Sequence, residues 1–161
     1  MEFKVFISYS SNDLRHIDEL KSRLNGTGVS VFVAEHSVTP SENLKEEITK
    51  AIDSCDLFVL CWSANARESQ WVSQEIGIAK AKGKKILPII LDDTQALPGF
   101  VQDLKYLRIV SNEDFYKARD IVVALAQGKE TKIKGEKEKQ RDGLILLGLG
   151  ILILWLFSKG K

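Results

Sequence analysis

The stretch Leu57-Phe58-Val59-Leu60-Cys61-Trp62 decides the fold, because a continuous apolar run of this kind is typical of a strand buried on both faces of a parallel β-sheet. Together with Asp56 it predicts a strand over residues 56–62. Apolar, β-rich segments on either side predict four more strands, at residues 3–9, 29–34, 86–91 and 104–109. We therefore predict a sheet of five strands.

Helices are predicted between these strands. Apolar residues recur at helical spacing from about residue 14, from residue 44, over residues 70–82 and over residues 115–126. Helices that alternate with strands at these lengths imply right-handed βαβ crossovers, so we expect an α/β fold with helices on both faces of a parallel sheet. Ligands of such sheets bind at the carboxyl ends of the strands, and a functional site is expected there.

The composition is that of one globular domain. The 161 residues are 44% hydrophobic and 28% charged, with a formal net charge of +1, which provides no basic field for a nucleic acid partner. The two cysteines, Cys55 and Cys61, match no disulfide or metal pattern and are expected to be buried free thiols. The two histidines, His16 and His36, have no cysteine or carboxylate at ligand spacing, so we predict no metal site.

A tryptophan and a glutamate, Trp71 and Glu75, lie four residues apart in the predicted helix 70–82, so their side chains share one helical face. An aromatic plate beside a carboxylate can stack a planar ring and hold a negative charge against a cationic sugar carbon. That combination suits cleavage of an N-glycosidic bond. The alternative is a core tryptophan at the base of an amphipathic helix, with Glu75 in water.

Polar segments follow the first three predicted strands and should converge on one crevice at the carboxyl edge of the sheet. They are Ser8-Tyr9-Ser10-Ser11, Ala34-Glu35-His36 and residues 63–71. The serines of the first segment are also suitable helix N-caps, which is the simpler role for at least one of them. The sequence contains neither a glycine fingerprint for a dinucleotide nor a Walker lysine.

Taken in order, these segments resemble Toll/interleukin-1 receptor (TIR) domains of the bacterial and archaeal type. The matching segments are Phe6-Ile7-Ser8-Tyr9-Ser10 for the first box, Val31-Phe32-Val33-Ala34-Glu35 for the second strand before the BB loop, Ser69-Gln70-Trp71 with Glu75 for the segment that carries the catalytic glutamate of NAD-cleaving members, and Leu87-Pro88-Ile89-Ile90 for the fourth strand. The resemblance covers about residues 3–127 and implies a flavodoxin-like sheet of five parallel strands.

The resemblance implies a site that consumes NAD as a substrate and needs no cofactor. Its catalytic residue would be Glu75, in a crevice reached by solvent, where the carboxylate stabilises an oxocarbenium-like ribose as nicotinamide leaves as a neutral ring. The implied substrate-binding residues are Ser8, Tyr9 and Ser10 near the diphosphate, Ala34 and Glu35 beside the adenosine, and Trp71 in the wall of the pocket.

The implied function is that of a NAD glycohydrolase, or an ADP-ribose cyclase, that becomes active on self-assembly in antiviral defence or signalling. Assembly would use the BB loop, from Glu35 to Asn43, to complete the pocket of a neighbouring subunit. The alternative is a non-enzymatic TIR adaptor that acts through homotypic TIR–TIR contacts. Glu75 distinguishes the two, since an adaptor has no reason to keep an acid at that position.

The sequence changes character after the predicted TIR domain, residues 1–128. Residues 129–142 carry charges of both signs and predict a solvated linker or an exposed helix. Residues 143–158 are uncharged and rich in leucine and isoleucine, and a basic tail, 159–161, follows them. As a helix, residues 143–157 would span roughly 22 Å, short of the roughly 30 Å hydrocarbon core of a membrane.

Two features favour a transmembrane helix over residues 143–158 in spite of this length. Apolar residues occur all round the helix, and Trp155 lies near one end with Lys159 and Lys161 beyond it. The alternative is an apolar helix that packs against the domain or self-associates. Basic residues on the domain side outnumber those beyond the helix, which predicts a single-pass protein whose TIR domain faces the cytoplasm; they are Lys132, Lys134, Lys137, Lys139 and Arg141.

Overall fold

A computed structural model describes residues 2–34, 42–93 and 96–134 of the chain. Its strands are β1 (Phe3–Ser8), β2 (Val29–Val33), β3 (Leu57–Trp62), β4 (Ile86–Ile90) and β5 (Leu107–Arg108). They form one parallel sheet in the order β2-β1-β3-β4-β5. This is the flavodoxin-like order, and it confirms the predicted α/β fold with five parallel strands.

Within the described residues, five α-helices connect or follow the strands. They are α1 (Leu14–Leu24), α2 (Glu42–Ser54), α3 (Ala64–Glu68), α4 (Gln70–Ala81) and α5 (Asn112–Lys134), and a short 3-10 helix (Ser11–Asp13) precedes α1. The sequence pattern does not predict α3, because its 5 residues are too few to show an apolar period. Its start is nevertheless encoded locally, since the Ser63 hydroxyl accepts a hydrogen bond from the backbone N–H of Ala66 at 3.0 Å.

The sheet separates two apolar cores. The first core, under α1 and α5, includes Val5, Ile7, Ile17, Val59 and Ile121. The second core, under α2 and α4, includes Phe6, Phe58, Trp62, Val72 and Ile76. Every residue of β3 is buried because successive side chains of this central strand enter opposite cores, which explains the apolar run in its sequence.

Two elements differ most in length from their predictions. The predicted strand over residues 104–109 is reduced to β5, which pairs with β4 at only two positions at the edge of the sheet. Helix α5 is longer than the predicted 115–126. Its start is stabilised by Asp114, whose carboxylate accepts hydrogen bonds from the backbone N–H groups of Val110 and Ser111, both at 2.9 Å. The predicted domain boundary at residue 128 therefore falls inside a helix.

Several predictions concern parts of the chain outside the described residues. The anchor at residues 143–158, residues 135–142 of the charged segment and residues 35–41 of the BB loop all lie there. Within the ranges 2–34, 42–93 and 96–134, no helix combines the length and the apolar character needed to cross a membrane. Cys55 and Cys61 are buried and free, as predicted.

Candidate active site

The carboxyl ends of β1 and β3 adjoin at the point where the chain connections change direction. β1 leads into α1 over the first core, whereas β3 leads into α3 and α4 over the second. In open α/β sheets a ligand crevice forms at such a switch point. Ser8, which ends β1, and Trp62, which ends β3, mark this position.

Helix α4 places Glu75 against the sheet. Ser69 caps the helix, its hydroxyl accepting a hydrogen bond from the backbone N–H of Val72 at 3.3 Å. Val72, Ile76 and Ala79 recur at helical spacing and are buried in the second core, so this side of α4 faces the strands. Glu75 follows Val72 by three residues and therefore projects toward the sheet as well.

Ser8 and Glu75 meet at the end of β1. The Ser8 hydroxyl donates a hydrogen bond to Oε2 of Glu75. The exposed fraction is 0% for Ser8 and 1% for Glu75, so the bond is shielded from water. Phe6, two residues earlier in β1, lies in the second core, and the alternation along the strand turns the Ser8 side chain to the same face. The structure thus joins two of the predicted site residues directly.

The burial of Glu75 controls its charge. Burial raises the pKa of the carboxyl to about 8, against an ordinary value of 4.5, while the hydrogen bond from Ser8 acts in the opposite direction. At neutral pH the carboxyl is mostly protonated. The expectation that Glu75 lies in a crevice reached by solvent is wrong for the described structure, and so is the alternative that places Glu75 in water, because α4 turns this side chain inward.

Trp71 precedes Glu75 by one helical turn. Its side chain is half-buried and packs against the second core. The two side chains are neighbours on the surface of α4, as side chains four residues apart must be. Part of the indole therefore stays exposed near the buried carboxyl, where it can contact a ligand.

The other predicted site residues occupy different positions around this point. Tyr9 is buried in the first core, on the opposite face of the sheet from Glu75. Ser10 is the N-cap of the 3-10 helix and accepts a hydrogen bond from the backbone N–H of Asn12 at 3.4 Å, which is the simpler role expected for one of the serines. Ala34 is buried in the second core, and Glu35 lies outside the described residues.

A comparison with protein families identifies the family of this chain. The family model described as TIR domain matches residues 5–123. The chain belongs to the TIR domain family. This agrees with the resemblance of its first box, BB-loop region and α4 segment.

Two curated relatives of this TIR domain carry similar names. A protein of Methanobrevibacter olleyae named probable 2' cyclic ADP-D-ribose synthase TcpO is 29% identical over 119 residues, which are 71% of this chain and 35% of the relative. A protein of Brachypodium distachyon named probable 2' cyclic ADP-D-ribose synthase BdTIR is 27% identical over 134 residues, 80% of this chain and 57% of the relative. The chain thus spans from about a third to just over half of the length of these relatives.

A solved structure supports the fold. The TIR domain of the Toll-related receptor TRR-2 from Hydra magnipapillata superposes with a TM-score of 0.55 at 21% identity, covering 81% of this chain and 98% of that one. At this identity the likeness concerns the arrangement of strands and helices. It agrees with the flavodoxin-like topology of the TIR domain described above.

The TIR domain contains a second buried polar contact between distant segments. Asp13 is 6% exposed, and its carboxylate accepts hydrogen bonds from the Ser63 hydroxyl and from Nδ2 of Asn65, the latter at 2.8 Å. These bonds tie the segment after β1 to the start of α3. The sequence analysis places Asp13 only in a turn-forming cluster. Its burial has no signal in the local sequence, because its partners are 50 residues or more away.

Other features of the described residues do not add a ligand site. Nε1 of Trp62 is a buried donor with no hydrogen-bond partner in the part of the chain that the structure describes. No group of three metal-ligating side chains occurs among residues 2–34, 42–93 and 96–134. A groove of about 470 Å³ lies between α1 and β2, lined in part by Asp18, Lys21 and Val29. Since Val29 begins β2, the groove is at the opposite end of the sheet from Glu75.

Proposed function

We propose that this TIR domain breaks the bond between nicotinamide and ribose in NAD. One observation carries the proposal: the Glu75 carboxyl is held beneath α4 at the end of β1, beside the β1/β3 switch point, and its pKa is displaced by burial. Perturbed carboxyls at such positions are typical of groups that stabilise charge during a reaction. Similarity to two proteins named probable 2' cyclic ADP-D-ribose synthases supports the same chemistry.

The reaction requires little from the protein besides a negative charge. The bond from the ribose C1 to the pyridinium nitrogen breaks, and its electron pair stays on nicotinamide, which leaves as a neutral ring without a general acid. Positive charge develops on the ribose, and the ionised carboxylate of Glu75 stabilises it. An oxygen of water, or of another hydroxyl of the substrate, then attacks C1 and loses its proton to solvent. The first route gives hydrolysis and the second gives cyclisation.

Glu75 must ionise to take part in this step. In the free protein its pKa of about 8 keeps the carboxyl mostly protonated at neutral pH. NAD brings a positively charged pyridinium, and a nearby positive charge favours the ionised form of a carboxyl. Binding of the substrate would therefore help to generate the group that acts on it.

The remaining contacts with NAD are assigned by analogy with the family. The hydroxyl groups of Ser10 and Ser11 and the backbone N–H groups after them suit the diphosphate. Trp71 would form the wall beside the ribose or nicotinamide, and Ala34 and Glu35 would border the adenosine. NAD is the substrate in this scheme, and the chain needs no further cofactor.

Assembly and membrane attachment complete the proposal. The BB loop from Glu35 to Asn43 would contact a neighbouring subunit and complete its pocket. Residues 143–158 would form a single transmembrane helix that keeps the TIR domain on the cytoplasmic side and raises its local concentration. Activity would then follow assembly, as suits a protein of antiviral defence or signalling. These statements are supported by the sequence alone.

A non-enzymatic adaptor is the second candidate, and one observation favours it. Glu75 is shielded from water and hydrogen-bonded to Ser8, as a carboxyl with a purely structural role would be. In this case the domain would act through contacts between TIR domains, with the carboxyl as a link between β1 and α4.

The two candidates differ in one measurable product. The purified full chain, at high concentration or reconstituted in lipid vesicles, is incubated with NAD, and released nicotinamide is quantified by chromatography. We expect release that increases more than linearly with protein concentration. If no nicotinamide forms at any concentration in either preparation, the adaptor is the better description.

A further inference from the structure

We infer that Ser8 is a positioning residue for this reaction: its hydroxyl holds the Glu75 carboxyl in place and stabilises the ionised form of that carboxyl. The inference rests on the proposed NAD-cleaving function. It gives Ser8 a role that acts through Glu75 instead of through contact with the diphosphate. Its basis is the buried hydrogen bond between the two side chains.

The position of Ser8 makes it a firm support. Ser8 ends β1, which pairs with β2 on one side and with β3 on the other, and Ser8 itself is in register with Leu60 of β3. Its side chain is fully buried. A hydroxyl held by an interior strand has little freedom to move, so the direction of the Glu75 carboxyl is set relative to the sheet. A hydrogen bond from a rigidly packed neighbour keeps a reacting group in productive geometry.

The surroundings explain why this hydroxyl matters for charge. Helix α4 packs against β1, α2 and α3. The charged residues of those elements whose side chains are described are all exposed; they are Lys4, Lys45, Glu46, Glu47, Lys50, Asp53, Arg67 and Glu68. On its inner side, Glu75 instead adjoins the apolar second core, which disfavours the ionised form, while the Ser8 donor favours it. A hydrogen bond to an ionised oxygen is stronger than one to a neutral oxygen.

Two substitutions of Ser8 and one control test the inference. Ser8→Ala removes the donor, and Ser8→Cys keeps a similar shape with a much weaker donor. Ser73→Ala is the control, because Ser73 is exposed on the same helix and its hydroxyl bonds only locally, to the backbone oxygen of Ser69 at 3.2 Å.

The first readout is the rate of nicotinamide release by the full chain. In Ser8→Ala we expect kcat/KM at pH 7 to fall about 10-fold, because loss of the donor raises the pKa of Glu75 in the free protein, by about one unit, and the ionised fraction falls in proportion. The acid limb of the pH profile of kcat/KM should move to higher pH. The rate for Ser8→Cys should lie between those of the parent protein and Ser8→Ala. The rate for Ser73→Ala should equal that of the parent protein.

The second readout does not depend on activity. The carboxyl carbon of Glu75 is followed by ¹³C NMR in glutamate-labelled protein as the pH is raised, with the signal assigned through Glu75→Gln. Its titration midpoint should lie higher in Ser8→Ala than in the parent protein. A purely structural contribution of Ser8 would lower the melting temperature without moving this midpoint.

The outcomes separate this inference from the proposed function. If the parent protein releases nicotinamide but the acid limb and the NMR midpoint are the same in folded Ser8→Ala, the Ser8 inference alone is wrong. If the midpoint moves but the parent protein releases no nicotinamide, the proposed function fails and the role of Ser8 in it fails with it. Should Ser8→Ala not fold, the same comparison with Ser8→Cys decides.

Discussion

Ser8 and Glu75 are 67 positions apart in the sequence, yet their side chains share a buried hydrogen bond that joins β1 to α4. In a second such contact, the buried carboxylate of Asp13 accepts a hydrogen bond from Ser63 and joins the segment after β1 to α3. Two acidic side chains are thus held inside the carboxyl edge of one sheet. Polar contacts in such surroundings are strong when satisfied and costly when broken, so substitutions there should have measurable effects.

Glu75→Gln should abolish nicotinamide release and leave the fold intact. The amide keeps the shape of the neutral carboxyl and can still accept the hydrogen bond from Ser8, but it cannot ionise. We expect a loss of at least about 100-fold in kcat, the scale of removing one preorganised electrostatic group. Glu68→Gln, an exposed position just before α4, is the matched control and should retain activity. Equal rates for the parent protein and Glu75→Gln would remove Glu75 from the mechanism.

The activity should depend on pH through Glu75. Burial raises the pKa of this carboxyl to about 8, and the proposed step requires the ionised form. We therefore expect kcat/KM to rise about 10-fold per pH unit below pH 8 and to level off above it, since kcat/KM reports the free enzyme. Initial rates of nicotinamide release between about pH 6 and pH 9 measure this. A flat profile over that range would contradict the assignment.

The stability of the protein should fall as the pH rises through the same region. The pKa of Glu75 is about 8 in the folded protein and near 4.5 in the unfolded chain, so between these values the folded state binds more protons. The contribution of Glu75 to the free energy of unfolding is complete below about pH 4.5 and is lost by about pH 8, at about 1.4 kcal/mol per unit of pKa shift. Denaturant titrations at several pH values give the free energy of unfolding of the parent protein and of Glu75→Gln. Between about pH 4.5 and pH 8 this free energy should change less with pH in the variant than in the parent protein.

Asp13→Ala should destabilise the domain by about 1–3 kcal/mol, because the buried Ser63 hydroxyl loses its acceptor. Asp18→Ala is the matched control: Asp18 is exposed on α1, and its loss should change the free energy of unfolding by less than about 0.5 kcal/mol. Urea denaturation measures both values. If the two variants were equally stable, the contact between Asp13 and Ser63 would contribute nothing to the free energy of unfolding.

Deletion of residues 143–161 should release the protein from membranes without unfolding it. The two cores are built from residues between Phe3 and Ala126, so the domain has what it needs to fold before the apolar segment begins. We expect the full chain in the membrane fraction after high-speed centrifugation, and the shortened chain in the supernatant with a melting temperature close to that of the full chain in detergent. Deletion of residues 159–161 alone is the control. A full chain that stays wholly in the supernatant would contradict the anchor.

The fold was accessible from the sequence where local patterns are strong. The apolar run of β3 and the helical spacing of Val72, Ile76 and Ala79 on α4 each identify an element without knowledge of its neighbours. The edge strand β5 was predicted too long, because the extent of an edge strand depends on how much of β4 it can pair with. Helix α3 was not predicted, since its 5 residues are too few to show an apolar period.

By itself the sequence predicted the five strands, four of the five described α-helices, the resemblance to the family, and Glu75 as the candidate catalytic residue, because each of these depends on residue types at fixed spacing along the chain. Only the tertiary structure decided that Glu75 lies inward against Ser8, that Tyr9 lies on the other face of the sheet, and that Asp13 binds Ser63. These are contacts between distant segments, set by the sheet order and by which helix covers which core. Burial, and with it the raised pKa of Glu75, follows from that packing and has no signature in the local sequence.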